Sequence, residues 1–158
     1  SKTSHGRSNG DKVLIQNFEL EEFNGIFTVA NASANAFDYT IKQDPGANPS
    51  GTPGTVDLVT VGTAVDLSTA LGLLVTLGIQ NRNSGITVAG QCWIGFANAN
   101  NEYDYLWRAL FAGDLTVASL TQIQQQIPAQ AMFVNFAFAR NAGAAIDCYA
   151  IGQELTTV

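Results

Sequence analysis

From Val13 onward the apolar residues of this chain come in short runs, each cut off by Gly, Asn, Asp or Pro. A helix needs an apolar face that recurs every three to four residues over ten or more positions. Strands need only a brief alternation between a buried and a solvated face, and that is the pattern here. The clearest case is 37–42, where Phe37, Tyr39 and Ile41 fall on one face and Asp38, Thr40 and Lys42 on the other. Further strands are expected at 13–20, 25–30, 56–61, 73–80, 86–89, 92–97, 132–139 and 144–151, the last two joined as a hairpin by Arg140, Asn141, Ala142 and Gly143. Residues 103–111 fit a strand better than a helix because Tyr103, Tyr105 and Trp107 alternate and aromatics favour pleated surfaces. One helical segment is expected, capped by Ser119 and Gln122, lined by Leu120, Ile123 and Ile127 and ended by Pro128. The fold expected is all-β: a single antiparallel β-sandwich, jelly-roll-like, over 13–158, preceded by a flexible arm at 1–12.

At 158 residues the chain fits one domain, and a hydrophobic share of 46% excludes wholesale disorder. The polar residues are unusual. Only 13% of the chain is charged, about half the usual globular share, and Asn, Gln, Ser and Thr outnumber the charged residues by more than two to one. A neutral hydrogen-bonding surface is cheaper to desolvate against a partner than a charged one, so the composition suits permanent assembly. The formal charge of −6 argues against nucleic acid as a partner, since phosphate binding depends on clustered Lys and Arg.

The charge is unevenly spread. Lys2, Arg7 and Lys12 oppose a single Asp11 in the first twelve residues, and 1–10 contains no apolar side chain. This reads as a basic arm that becomes ordered against an acidic neighbouring subunit or shell, with Lys2, Arg7 and Lys12 as its contacts. The apolar run at 71–77 is interrupted by Gly72 and Thr76 and is too short to span a bilayer, so a soluble chain with no membrane partner is expected.

Catalytic chemistry is poorly provided for. His5 is the sole histidine and lies in the arm, which removes Ser-His-Asp and Cys-His constellations. Cys92 and Cys148 sit in alternating apolar segments and read as buried free thiols, with a bridge as the alternative. They lack the histidines a zinc site would need. The oxygen-rich group Asn98, Asn100, Asn101, Glu102 and Asp104 reads as a polar turn before a cation site, since its spacing is not that of an EF-hand. Tyr103, Tyr105 and Trp107 beside those carboxylates could form a sugar platform; the competing reading places the aromatics in the core. Glu19, Glu21 and Glu22 read as a solvated turn, and the proline-rich 44–54 as a long exposed loop. The expectation is a protein that is not an enzyme and binds no cofactor or metal.

Residues 63–154 carry a family pattern. Val65-Asp66-Leu67-Ser68 leads to a strand ending in Gln80-Asn81-Arg82-Asn83, Ile127-Pro128-Ala129 steps into 132–139, and Tyr149-Ala150-Ile151 lies in the closing strand. In this the chain resembles the head decoration or cement proteins of bacteriophages, which have a β-sandwich or jelly-roll domain. The strands before residue 60 and the proline loop lie outside that pattern. The resemblance implies a homo-oligomer, a trimer first, seated on the capsid surface of a virion assembled in the host cytoplasm. Its partner would be the major capsid protein or another virion protein, and it would act by contact alone. The alternative expectation is a carbohydrate-binding or adhesive β-sandwich of a phage tail or spike.

Overall fold

The computed structural model describes residues 5–50, 54–82, 85–99, 105–128, 132–140 and 146–155. The chain divides into two compact units, 1–59 and 60–158. In the first, β1 (Lys12–Gln16) pairs antiparallel with β2 (Gly25–Thr28) on one side and with the start of β3 (Thr55–Val61) on the other. Val13 and Ile15, two residues apart, share a face and cluster with Val29, and Phe18, Phe27, Phe37 and Tyr39 pack around them. The Tyr39 and Phe27 rings lie 4.7 Å apart, and burial pushes the Tyr39 phenol above its ordinary pKa. A short 3-10 turn, Glu21–Phe23, links β1 to β2, so Glu19, Glu21 and Glu22 do form the turn read from the sequence. Glu19 also accepts from the Ser50 backbone N–H and hydroxyl, each at 2.9 Å, and so tethers the exposed proline loop.

The second unit is a two-layer sandwich. In one layer β9 (Phe133–Arg140) pairs with β4 (Val65–Asp66) and β6 (Val88–Ala97), and β6 pairs with β7 (Leu106–Leu115). In the other, β5 (Gly72–Asn81) lies between β10 (Ile146–Leu155) and β8 (Leu120–Pro128), in the order β10-β5-β8. Alternate residues of β5, namely Leu73, Val75, Leu77 and Ile79, form one core with Cys92 and Ile94 of β6 and with Val134, Phe136 and Phe138 of β9. This period of two is what builds the sandwich: each strand offers one apolar face, and two such faces exclude water between them. The all-β, sandwich-like class expected from the sequence therefore holds.

Several local expectations change. The stretch 13–158, expected as one domain, runs through both compact units, each with its own apolar cluster. Residues 37–42 form only one bridge, between Asp38 and Ala30; their alternation survives, but Phe37, Tyr39 and Ile41 are half-buried. The helix expected before Pro128 is strand β8, because Ile123 and Ile127 turn into the core while Gln122, Gln124 and Gln126 turn out. Ser119 accordingly caps no helix; its hydroxyl donates to the Thr116 carbonyl in the β7–β8 turn at 2.7 Å. The hairpin expected at Arg140 to Gly143 does not form, since β9 pairs with β6 and β10 with β5; its turn, 141–143, lies outside the described residues. The strands expected at 86–89 and 92–97 are one, β6. Strand β7 is present as preferred, with a bulge: Cys92 faces Phe111 but Trp93 faces Ala109, so Leu110 is the extra residue.

Residues 5–12, expected as part of a flexible arm, are held on the first unit. The Gly10 N–H donates to the Val29 carbonyl at 2.9 Å, the Ala32 N–H to Asn9 Oδ1 at 2.7 Å, and His5 meets Phe37 edge-on at 5.3 Å. A segment without apolar residues has no core to join, but its backbone and amide groups can still complete hydrogen bonds.

Both cysteines are free thiols, Cys92 buried and Cys148 half-buried. Loss of water around Cys92, with Cys148 close enough to add repulsion, pushes its thiol up to about 12 from an ordinary value near 9. The unfolded thiol ionises first. This group's contribution to stability is therefore complete below about pH 9 and is lost as pH climbs toward 12. In urea melts from pH 8 to 11, Cys92→Ala should show a shallower fall in stability than the unsubstituted protein. Parallel curves would assign the alkaline fall to other groups.

Candidate interaction surface

The register of the β10-β5-β8 sheet determines which side chains face away from the core. On β5 they are Leu74, Thr76, Gly78 and Gln80, and directly opposite on β8 stand Gln126, Gln124, Gln122 and Leu120. On β10 the same face carries Gln153, Ile151, Tyr149 and Asp147. Asp147 is the one charge among these positions, and the exposed Arg82 pairs with it at 2.5 Å. Such a rim pair adds little to stability. Of the outward apolar residues Ile151 and Leu120 are the exposed ones, at 65% and 46%. The result is a neutral, amide-rich face with apolar points, the composition of a surface that can be covered at low desolvation cost.

One glycine organises its centre. Gly78 lies between Gln122 and Tyr149 in the register, and any side chain there would overlap the Tyr149 ring. The bare backbone lets the ring lie across β5, where its hydroxyl takes a hydrogen bond from the Gln122 amide. Gly78→Val is expected to displace Tyr149, break this cross-strand link and cost about 1–3 kcal/mol as an overpacked site, measured by denaturant melts. An undiminished midpoint would show that the ring relocates freely.

The residues singled out from the sequence are not brought together here. Lys2 lies outside the described residues. Arg7 is half-buried, with its backbone N–H donating to His5 Nδ1 at 3.0 Å. Lys12 donates through Nζ to Thr28 Oγ1 within the β1–β2 pair, so its ammonium has an intramolecular partner. Tyr105 is buried, and desolvation raises its pKa. Trp107 is half-buried, 5.5 Å from Tyr105, and lies over Gly95, where an added Cβ would come within 2.8 Å of the indole. Tyr103, Glu102 and Asp104 lie outside the described residues, as do Asn100 and Asn101. Of the aromatic trio, the described pair therefore packs as much as it presents. Among the described residues no group of three His, Cys, Asp or Glu side chains is placed to hold a metal ion.

Sequence reasoning missed the amide column Gln122, Gln124 and Gln126 as a surface because the segment was read as helical. The signal was present: glutamines at 122, 124 and 126, with Ile123 and Gln125 between them and Ile127 next in line on the other face. No protein-family model, curated protein or solved structure matches this chain.

Proposed function

We propose that this protein is a non-catalytic structural component of a virion, a capsid decoration or cement protein that strengthens the shell through oligomeric contacts on its lattice. The observation that carries this reading is the outer face of the β10-β5-β8 sheet, uncharged apart from Asp147 in a chain of net charge −6. A face of amides and isolated apolar side chains, backed by a rigid sandwich, is suited to being covered once and kept covered. The sequence resemblance to phage head proteins supports the same reading, and the major capsid protein or another virion protein is the partner it implies. Antibodies raised against the chain should label the heads of intact virions of the virus that encodes it, seen by electron microscopy. Label confined to tails or spikes would favour an adhesive module, and intact virions without label would overturn the proposal.

A further inference from the structure

We propose that β8 is a self-pairing edge: two copies of this chain join antiparallel along β8, with Gln124 on the two-fold axis, into one continuous six-stranded sheet β10-β5-β8·β8-β5-β10. The inference rests on the assembly half of the proposed function, that the chain acts through copies of itself.

Among the described residues β8 ends its sheet, and its backbone is set up for a further strand. The Asn81 N–H donates to the Ser119 carbonyl, and by the alternation of an antiparallel ladder residues 121, 123, 125 and 127 also point their backbone groups at β5. Residues 120, 122, 124 and 126 therefore point theirs out of the sheet. Two details agree: the Gln126 carbonyl is taken by the chain's own Gln125 side chain at 2.9 Å, as an edge carbonyl without a strand partner would be, and Pro128, which has no N–H, falls at an outward position.

Strand edges left open this way are normally blunted by charge, by proline within the strand or by shortness. The other edges of the described sheets have such protection. β10 carries Asp147 and Glu154, β7 carries Arg108 and Asp114, and β2 has only four residues. β8 has none of these along its length before Pro128, and no charged residue occurs anywhere between Asp114 and Arg140. Copies of net charge −6 repel, so a self-contact is favoured where the local charge is zero.

The sequence of β8 also suits its own antiparallel image. With Gln124 opposite its copy, Gln122 faces Gln126, and both pairs are of the hydrogen-bonded type required by the outward groups. Because the two-fold axis is perpendicular to the sheet, the amide columns of both copies lie on one face and can form a side-chain ladder, as stacked glutamines do. The contact is isologous and closes as a dimer, so any higher symmetry must use another surface.

Sedimentation of the full chain at 1–100 μM is expected to find a dimer whose dissociation constant is unchanged or lower in 0.5 M NaCl, because salt screens the repulsion and no ion pair is lost. Gln122→Lys with Gln126→Lys places lysines opposite each other and should raise that constant at least tenfold while leaving the circular-dichroism spectrum that of the folded chain. A second measurement does not need those variants to fold. Gln124→Cys, in a chain with Cys92→Ala and Cys148→Ala, should form a cross-linked dimer on treatment with diamide: two thiols give up two protons and two electrons to the reagent, and one S–S bond forms between copies. A monomer throughout the concentration range, or an oligomer that tolerates both lysines and gives no cross-link at residue 124, would overturn the proposal. Virion labelling is read separately, so a β8 dimer absent from virions would remove the capsid reading alone, and labelled virions without β8 pairing would remove this one alone.

Discussion

Ile79→Ala is expected to lower the unfolding free energy by about 2–5 kcal/mol, the range for emptying a core position that cannot fully collapse. Ile79 is completely buried in β5 and belongs to the cluster that includes Cys92 and Ile94 of β6 and Phe138 of β9. β5 has hydrogen-bonded strands on both sides, so its backbone cannot move inward to fill the space without losing register with β8 and β10 together. Leu120→Ala, on the exposed face of β8, is the control and should change stability by less than about 0.5 kcal/mol. A larger loss from Leu120→Ala than from Ile79→Ala in urea melts would mean that the facing of the sheet is reversed.

The second large effect is expected at Asn81. Its side chain is completely buried, and Nδ2 donates to the Ile86 carbonyl at 2.8 Å and to the Leu115 carbonyl at 3.0 Å. One amide nitrogen thus joins the end of β5 to the approach of β6 and the end of β7. Asn81→Leu keeps the approximate volume but leaves those carbonyls without the amide, at a cost of about 1–3 kcal/mol for each group left unsatisfied. Asn81→Asp should be worse at pH 7, since it replaces the donor with a buried negative charge facing two carbonyls, and should recover part of the loss at low pH, where a protonated carboxyl can donate once. Melts at pH 4 and pH 7 separate these cases. If Asp is tolerated as well as Asn at pH 7, the network contributes nothing.

Much of the architecture was legible in local pattern. β5 could be placed because Leu73, Val75, Leu77 and Ile79 alternate, and the alternation tells which face is buried before any partner is known. The same logic located β1, β2, β3, β6 and β9 to within a few residues. It failed at 37–42, where alternation was real but the described residues offer no pairing beyond the Asp38–Ala30 bridge. A period of two describes which side chains face inward, not whether the backbone finds hydrogen-bonding partners.

The candidate surface was less legible. Ile123 and Ile127 are four apart, which suits a helix, yet Thr121, Ile123 and Ile127 also share a strand face; glutamine has no strong preference that separates the two. Register against β5 decides the matter, and that register is non-local.

The sequence by itself determined the all-β class, the position of most strands and the scarcity of charge among the polar residues. These depend on side-chain order along a few residues. Only the tertiary structure decided that β9 and β10, neighbours in the chain, belong to different layers, that the first fifty-nine residues have a cluster of their own, and that β8 is an uncharged strand at the end of a sheet. Strand partnership is set by long-range hydrogen bonding and by the packing of one layer on another, and many pairings satisfy the same local pattern until the whole chain selects one.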